Sequence, residues 1–533
     1  MELMMMQSNP ADKLAALIEE LSAVLSPQSI QSDLSSRTLM SQDVFCKKEP
    51  AALVVKPETV KQLASLMQIS TKHGYAALPR GGGMSYTQGY VPVQQNSIIV
   101  DMSALDQLIE INTDDMYVTV QCGCSWEKLH KALDGTGFRT PFWGTLSGRY
   151  ATVGGGLSQN SIFWGSGQHG FAVDSVLSVE VVLASGHIIR TGSAGQLHAT
   201  PFARHFGPDL TGLFCCDNSA FGIKATATFR LIPSLKYHDG LSFSASSFAA
   251  LSSLMSEASK QGLISECFGF DPFLQAQRMQ RESLGKDVKS LLGVMKSAGS
   301  LSKAIKSGTK VALAGRNFVE AESWSAHFMV EDRTEAGMQH KLQAIEAIAS
   351  KLDVKAIENS IPKILRANPF GPVNNMIGPQ GERWVPVHAV VPHSKTQQAY
   401  QVTEQVFSEN SELIEKFNIG IGYLVATVSS MAFVLEPVFF WPDELNELHK
   451  HAVETSHLKR LKGFPPNPEA TKAMEKIRAD LVLAYSQQGF IHMQIGKSYR
   501  FKEGLAAENF ELLKAIKQHL DPTSSMNPGC LGL

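Results

Sequence analysis

The chain has 533 residues, 48 Lys and Arg against 50 Asp and Glu, a formal net charge of -2, and 44% hydrophobic residues. At roughly 100–200 residues per domain this makes two or three units with ample apolar surface for a core. The even charge balance argues against nucleic acid as the main partner, which would demand a basic footprint, and leaves a small anionic ligand open.

Cys46, Cys122, Cys124, Cys215, Cys216, Cys267 and Cys530 form no CxxC and no zinc-finger spacing. An odd count reads as reduced thiols, so a reducing, cytoplasmic compartment is expected. The adjacent Cys215 and Cys216 read as buried packing.

The N-terminal stretch has no basic run and no small-residue cleavage site, so a signal peptide is not expected. Leu14, Leu17, Ile18, Leu21 and Leu25 recur at helical spacing and predict an amphipathic helix docked on the body. No apolar run approaches the ~20 residues that span a bilayer. Residues 51–235 read as alternating strands and helices. AALVVKPETV predicts a strand and then a helix opened by Pro57 and Glu58 and ended by Gly74. YAALPR, SIIVDM and YVTVQCG read as strands, and SWEKLHKALDGTG as a helix capped by Ser125, with Lys128 where a capping box would place Glu. VLSVEVVLASGHIIRTG reads as a hairpin turning at Ser185-Gly186. Beyond Pro233, helical segments such as LSSLMSEASKQ and MQHKLQAIEAIASKL mix with strands such as WVPVHAVVP, IGYLVATVSS and MAFVLEPVFFW. The basic stretch 285–310 reads as a solvated face. A last helix stops near Asp521-Pro522.

Two glycine runs carry chemistry. In PRGGGMSYTQG, a strand runs directly into Gly81, Gly82 and Gly83. Bare backbone after a strand lets N–H groups surround an anion, with Arg80, Met84 and Ser85 alongside. The second run, TVGGGLSQNSIFWGSGQHGFAVDSV, holds Gly154, Gly155 and Gly156 and then a literal GxGxxG from Gly165 to Gly170. A strand hairpin follows it rather than a helix, so the nicotinamide-dinucleotide reading is rejected. Two such loops in one unit suit a long ligand with a central diphosphate, such as FAD.

Together, VVKPETVKQLASLM, LPRGGGMSYTQG, TVGGGLSQNSIFWGSGQHGFAVDSV, DLTGLFCCDNSAFGIKATATFRLIP and LDPTSSMNPG resemble, in order, the signature blocks of FAD-linked oxidases of the vanillyl-alcohol oxidase/p-cresol methylhydroxylase (PCMH-type) family. The resemblance implies an α+β protein: a two-part FAD-binding domain with an α+β substrate cap between its parts. The expected divisions are an N-terminal helical segment (1–45), the FAD-binding domain (46–235), the cap (236–480), and a C-terminal segment returning to the FAD domain (481–533). It assigns the diphosphate to residues 80–85. It assigns the flavin side to Val153, Gly154, Gly155, Gly156, Ser158, Gly167, Gly170, Val173 and Asp174, and the adenine end to Gly222 and Ile223.

The implied chemistry is hydride transfer from substrate to flavin N5. Tyr86, with Tyr499 and Arg500 in IGKSYRF, matches a phenolate-binding trio; physically, two hydroxyl donors and a permanent cation would stabilise an oxyanion. The aspartate that phenol oxidases hold beside the flavin falls at Phe171, and His169 is the proposed substitute. The zinc-binding histidine motif of the D-lactate branch is absent, so no metal is expected. His388 and His393 are candidate bases or ligands, with a core role favoured for His388, which shares a strand face with Val390. Met84 stands where covalent members carry His, so non-covalent FAD is expected. The primary reading is oxidation of an alcohol or para-substituted phenol. The alternatives are a 2-hydroxy acid dehydrogenase, with arginine holding the carboxylate, and a flavin-carrying subunit of a larger complex. The electron acceptor, oxygen or a redox protein or quinone, and a homodimer are left open.

Overall fold

Parallel strands joined by a helix begin the fold. The computed structural model describes residues 9–281 and 323–533, and the basic stretch 285–310 lies outside them. Leu53–Val55, Ser97–Asp101 and Ala76–Arg80 pair in parallel, and Ile30–Gln31 adds an antiparallel edge. The helix Val60–Lys72 covers this sheet with Leu63, Leu66 and Met67. It starts later than Pro57 and Glu58 suggest, because Thr59 and Gln62 form a reciprocal capping box that satisfies two otherwise orphaned N–H groups. Gly74 ends it at φ 71°. The helix Pro10–Ser22 packs Leu17 and Leu21 into the same core, each buried side chain contributing roughly 1.5–3 kcal/mol.

An antiparallel sheet follows, in the order Leu108–Asn112, Tyr117–Gln121, Ile223–Arg230, Val176–Val182, Ile188–Arg190. Its last two strands form the expected hairpin, with Gly186 at φ 79°.

Residues 237–441 supply an eight-stranded antiparallel sheet. Its strand Ala432–Trp441 shows how the layers are set. Phe433, Leu435 and Phe439 join a core beneath the helices Phe248–Lys260, Glu335–Ala349 and Pro468–Gln487, while Val434, Val438 and Phe440 join a core with Trp126, Val153 and Phe221. Side chains alternate across a strand, so one face carries helices and the other lies on the first half of the chain. Glu436 and His388 share the parity of the inward-facing Val434 and Val390.

The helix Ala507–Leu520 ends at a buried ion pair, Lys517 Nζ to Asp521 Oδ2 at 2.7 Å. Lys517 also donates to the carbonyls of Ala220 and Met526, and Asp521 accepts the N–H groups of Ser525 and Met526. The tail then bonds Ala77 through Ser525 and Asn527. All seven cysteines are free thiols, and among the described residues no helix is long and apolar enough to cross a membrane.

Asp521→Ala leaves the Lys517 ammonium buried without its carboxylate. It is expected to lower the urea-unfolding free energy by about 3–5 kcal/mol; a loss under about 1 kcal/mol contradicts the assignment.

Candidate functional site

A cleft of about 250 Å³ lies between the first half of the chain and the eight-stranded sheet. Gly81, Gly82, Gly83, Met84 and Ser85 line it, as do Gly154, Gly155, Gly156, Ser158 and Ile223. Trp384, Leu424 and Glu436 of the sheet close it.

The first glycine loop is held by close approach. A Cβ on Gly82 would lie 1.9 Å from the Tyr150 carbonyl oxygen, and one on Gly81 would lie 2.2 Å from Thr152 Oγ1. Gly83 has φ 75°, a conformation that disfavours L side chains. The N–H groups of Gly81, Gly82, Gly83, Met84 and Ser85 donate to no acceptor among the described residues. Five consecutive unpaired donors facing one cleft make an anion nest. Arg80 does not line the cleft. Its guanidinium folds back to the Gly81 carbonyl at 3.3 Å and stacks 5.5 Å from the Tyr90 ring, so it props the loop rather than contacting the ligand.

The second run works differently. Gly154–Gly156 form the first turn of the helix Val153–Gln159, where Thr152 Oγ1 accepts the Gly155 N–H and the Cys122 carbonyl accepts the Gly154 N–H. Here the glycines permit packing: a Cβ on Gly154 would lie 2.8 Å from Cys122, and one on Gly156 would lie 2.8 Å from Trp126. Val153 is fully buried beneath them, away from the cleft.

The GxGxxG turn also departs from expectation. The buried Glu266 carboxylate accepts the N–H groups of Gly165 and Gly167, docking the turn onto the strand Glu266–Phe270. Burial holds the Glu266 carboxyl up, at about 8. Gly170, Val173 and Asp174 are turned to local bonds: Asp174 accepts the Phe171 N–H and the Val173 carbonyl accepts from Arg204. Gly222 packs on Val181. Thus Gly167, Gly170, Val173, Asp174 and Gly222 lie outside the cleft lining, and Ile162 and Phe163 take the place of the turn.

Tyr86 and Tyr499 meet through His388, which is completely buried. His388 Nε2 lies 2.9 Å from Tyr86 Oη and 3.5 Å from Glu436 Oε2, and its Nδ1 lies 3.0 Å from Tyr499 Oη. The His388 backbone N–H donates to Tyr499 Oη at 3.1 Å. That phenol can therefore donate its own hydrogen to Nδ1, leaving Nε2–H to face Tyr86 and Glu436 and freeing the Tyr86 hydrogen for an acceptor in the cleft. Burial, with His492 and Arg478 nearby, pulls the imidazole down to about 3. Burial raises the Tyr86 phenol well above its usual range, and the Tyr499 phenol to about 12. His388, favoured above as a core histidine, is buried but bonded directly to a cleft-lining residue.

Arg500 is exposed, at the start of the short helix Phe501–Gly504, and does not join this cluster. The cation there is Arg478, from the helix Pro468–Gln487, 5.7 Å from the Tyr499 ring and 4.8 Å from the Phe45 ring, with Nη2 3.4 Å from the Tyr86 carbonyl. His169 lies beside Arg139 and Glu331, pulled down to about 4 mainly by burial, and does not line the cleft. His393 bonds Ser256, also away from it. Glu436 and Arg478 escaped the sequence reading. Glu436 had a readable signal: a carboxylate in the middle of the apolar strand AFVLEPVFFW.

Residues 51–192 match the FAD binding domain family model. The fold is that of the PCMH-type FAD-linked oxidases. The chain superposes on p-cresol methylhydroxylase with substrate bound at TM-score 0.72 and 14% identity, covering 98% of this chain and 97% of that one. It superposes on the 4-ethylphenol oxidase of Gulosibacter chungangensis at TM-score 0.67 and 15% identity, covering 99% and 98%. In sequence it is 30% identical to the glycolate oxidase subunit GlcD of Bacillus subtilis over 217 residues, 40% of this chain and 44% of that protein. The chain thus spans under half the length of the curated relatives it matches. The cofactor is FAD, and the nest of unpaired N–H groups at Gly81–Ser85 fits its diphosphate.

Two outcomes are expected. Gly82→Ala drives a methyl into the Tyr150 carbonyl, and the purified protein should lose bound FAD absorbance at 450 nm; full retention would refute the nest. His388 must stay neutral in the folded state, so the unfolded chain binds more protons between about 6.5 and 3 and stability falls as pH drops through that window. His388→Gln should lose less melting temperature than the parent between pH 7 and 4, and an identical slope would contradict this.

Proposed function

We propose that the protein is an FAD-dependent oxidoreductase that takes a hydride from a neutral alcohol or a para-substituted phenol. The observation that carries this reading is the Glu436 carboxylate lining the cleft beside Tyr86, with His388 bridging the two. FAD, when bound, supplies the hydride acceptor. The protein must place the substrate oxygen and remove its proton. Tyr86 donates a hydrogen bond to that oxygen. Glu436 is the acceptor, because His388 is too weak a base and Tyr86 too weak an acid to ionise near neutrality. Trp384, Leu424, Met376 and Met493 supply apolar walls, which suit an aromatic or alkyl group.

A 2-hydroxy acid is the second reading, supported by the likeness to a glycolate oxidase subunit. Two features weigh against it. A substrate carboxylate would face Glu436, and Lys224, which lines the cleft, is held by Asp217 in a buried ion pair of 2.6 Å. Arg500, the cation expected to hold such a carboxylate, is exposed.

The test is anaerobic flavin bleaching with a panel of benzylic alcohols, para-alkyl phenols, glycolate and D-lactate. The neutral substrates should bleach the flavin, and Glu436→Gln should slow that step by about 10²–10⁴-fold, the usual worth of a positioned general base. Bleaching by the hydroxy acids alone would overturn the substrate class. An unchanged rate in Glu436→Gln would overturn the base.

A further inference from the structure

Five of the chain's ten tyrosines fall in one run that starts at the cleft and leaves it through the core. Tyr86 lines the cleft, and its ring centre lies 5.6 Å from that of His388. His388 is 6.0 Å from Tyr499, Tyr499 stacks on His492 at 4.1 Å and 16°, and His492 is 6.1 Å from Tyr485. Thr403 Oγ1 donates to the Ala399 carbonyl and so accepts from the Tyr485 hydroxyl at 2.6 Å. The next residue, Glu404, accepts from the Tyr423 hydroxyl. Tyr423 in turn meets Tyr400 at 5.5 Å and Trp324 at 5.7 Å. Thr403, Glu404 and Tyr400 share the helix Thr396–Glu409, on which Glu404 is exposed and Tyr400 half-buried. Packing alone does not ask for these hydroxyls. Phenylalanine, of which the chain has 27, fills a core with no polar atom to satisfy. Three of the phenols in the run instead donate to an acceptor: Tyr499 to His388 Nδ1, Tyr485 to Thr403 and Tyr423 to Glu404. Burial keeps them protonated, so each holds a hydrogen to release when it loses an electron.

We propose that this run is a relay that carries a single oxidising equivalent from the cleft to the face bearing Tyr400 and Glu404. The oxidant is a radical of the oxygen-derived class arising in the cleft, and the reductant at the surface is a small thiol. In the first step Tyr499 loses an electron to the oxidant across Tyr86 and His388. Its hydroxyl proton passes to His388 Nδ1, and Glu436, 3.5 Å from Nε2, balances the imidazolium charge. In the second step an electron moves from Tyr423 by way of Tyr485 to the Tyr499 radical. The proton returns from Nδ1 to the Tyr499 oxygen, and the Tyr423 proton passes to Glu404. In the last step the thiol gives an electron to the Tyr423 radical, which it reaches through Tyr400, and Glu404 returns the proton. The oxidant has then gained one electron, the thiol has lost one electron and released its proton to water, and every residue is restored. Hydride transfer moves an electron pair and does not use this route.

The test uses the full-length protein loaded with FAD and no substrate. Blue light turns the flavin into a one-electron oxidant, and a cobalt(III) ammine takes up the electron, so that the protein radical is left behind. Electron paramagnetic resonance with ring-deuterated tyrosine identifies a tyrosyl radical, and a nitroso spin trap marks its surface position by peptide mass. The parent should give a tyrosyl signal and a mark on Tyr400, and added glutathione should suppress the mark. Tyr499→Phe and Tyr423→Phe break the run, and Glu404→Gln removes a proton acceptor at an exposed position that the fold does not depend on. Each should lower marking of Tyr400 by at least about tenfold, the lower bound for a positioned proton acceptor, at flavin absorbance equal to the parent. A parent with no tyrosyl signal or no mark on Tyr400 would overturn the relay. So would marking within threefold of the parent in Tyr423→Phe and Glu404→Gln, since the radical would then reach the surface by another path. The readout involves no substrate, so it stands or falls independently of the substrate class and of Glu436 as the base.

Discussion

The contact between Gly82 and the Tyr150 carbonyl governs the rest of the site. Backbone meets backbone there with no room for a side chain, and the price is a loop of five N–H groups that none of the described residues satisfies. Donors of that kind are met by water in the empty cleft or by a ligand rich in acceptors. Everything nearby keeps the loop in place: Arg80 folded beneath it, the Tyr90 hydroxyl on the Gly83 carbonyl, and Asp43 accepting the Gln88 N–H. None of these groups needs to touch the cofactor, yet each fixes the direction in which the loop donors point.

The eight-stranded sheet supplies the other wall by simple alternation. Its outward residues are fastened under helices and its inward residues are packed on the first half of the chain. Polar groups on the inward face are therefore costly unless they are used. His388 and Glu436 occupy that face, and His388 Nε2 meets both Glu436 and Tyr86. The neutral imidazole sits between two phenols as a rigid spacer, with Glu436 beside it. In the proposed reaction, orientation falls to the phenols, which stay protonated, and proton transfer to the carboxylate.

Much of this was legible because it is local. Three glycines after a strand, a capped helix, a hairpin turning at Ser185-Gly186 and the order of the blocks all depend on neighbours in sequence. The GxGxxG turn misled in detail because its fate is decided by Glu266, a strand away in another part of the chain. Arg500 misled for a related reason. The backbone turns into a short helix at that residue and carries the side chain to solvent, while Arg478 arrives from a helix that no motif connects to the cleft. His388 was legible only in part: its strand face could be read, but its partners come from residues about 300 positions before it and 111 after it. Parity along AFVLEPVFFW would have placed Glu436 on the inward face once the flanking residues were sorted by layer.

The tail segment that bears Asn527 also bears on how the molecule comes to be. Its side chain bonds the Gly89 carbonyl across a separation of 438 residues, and Ser525 bonds the strand that leads into the glycine loop. Contacts so distant along the chain form late, since the closure entropy must be met before they repay it. During synthesis the parallel strands and the nest emerge early, but the floor under them arrives only after the whole large sheet has been made. Until then the emerging chain holds a half-built dinucleotide cradle that waits on a contact 438 positions after Gly89.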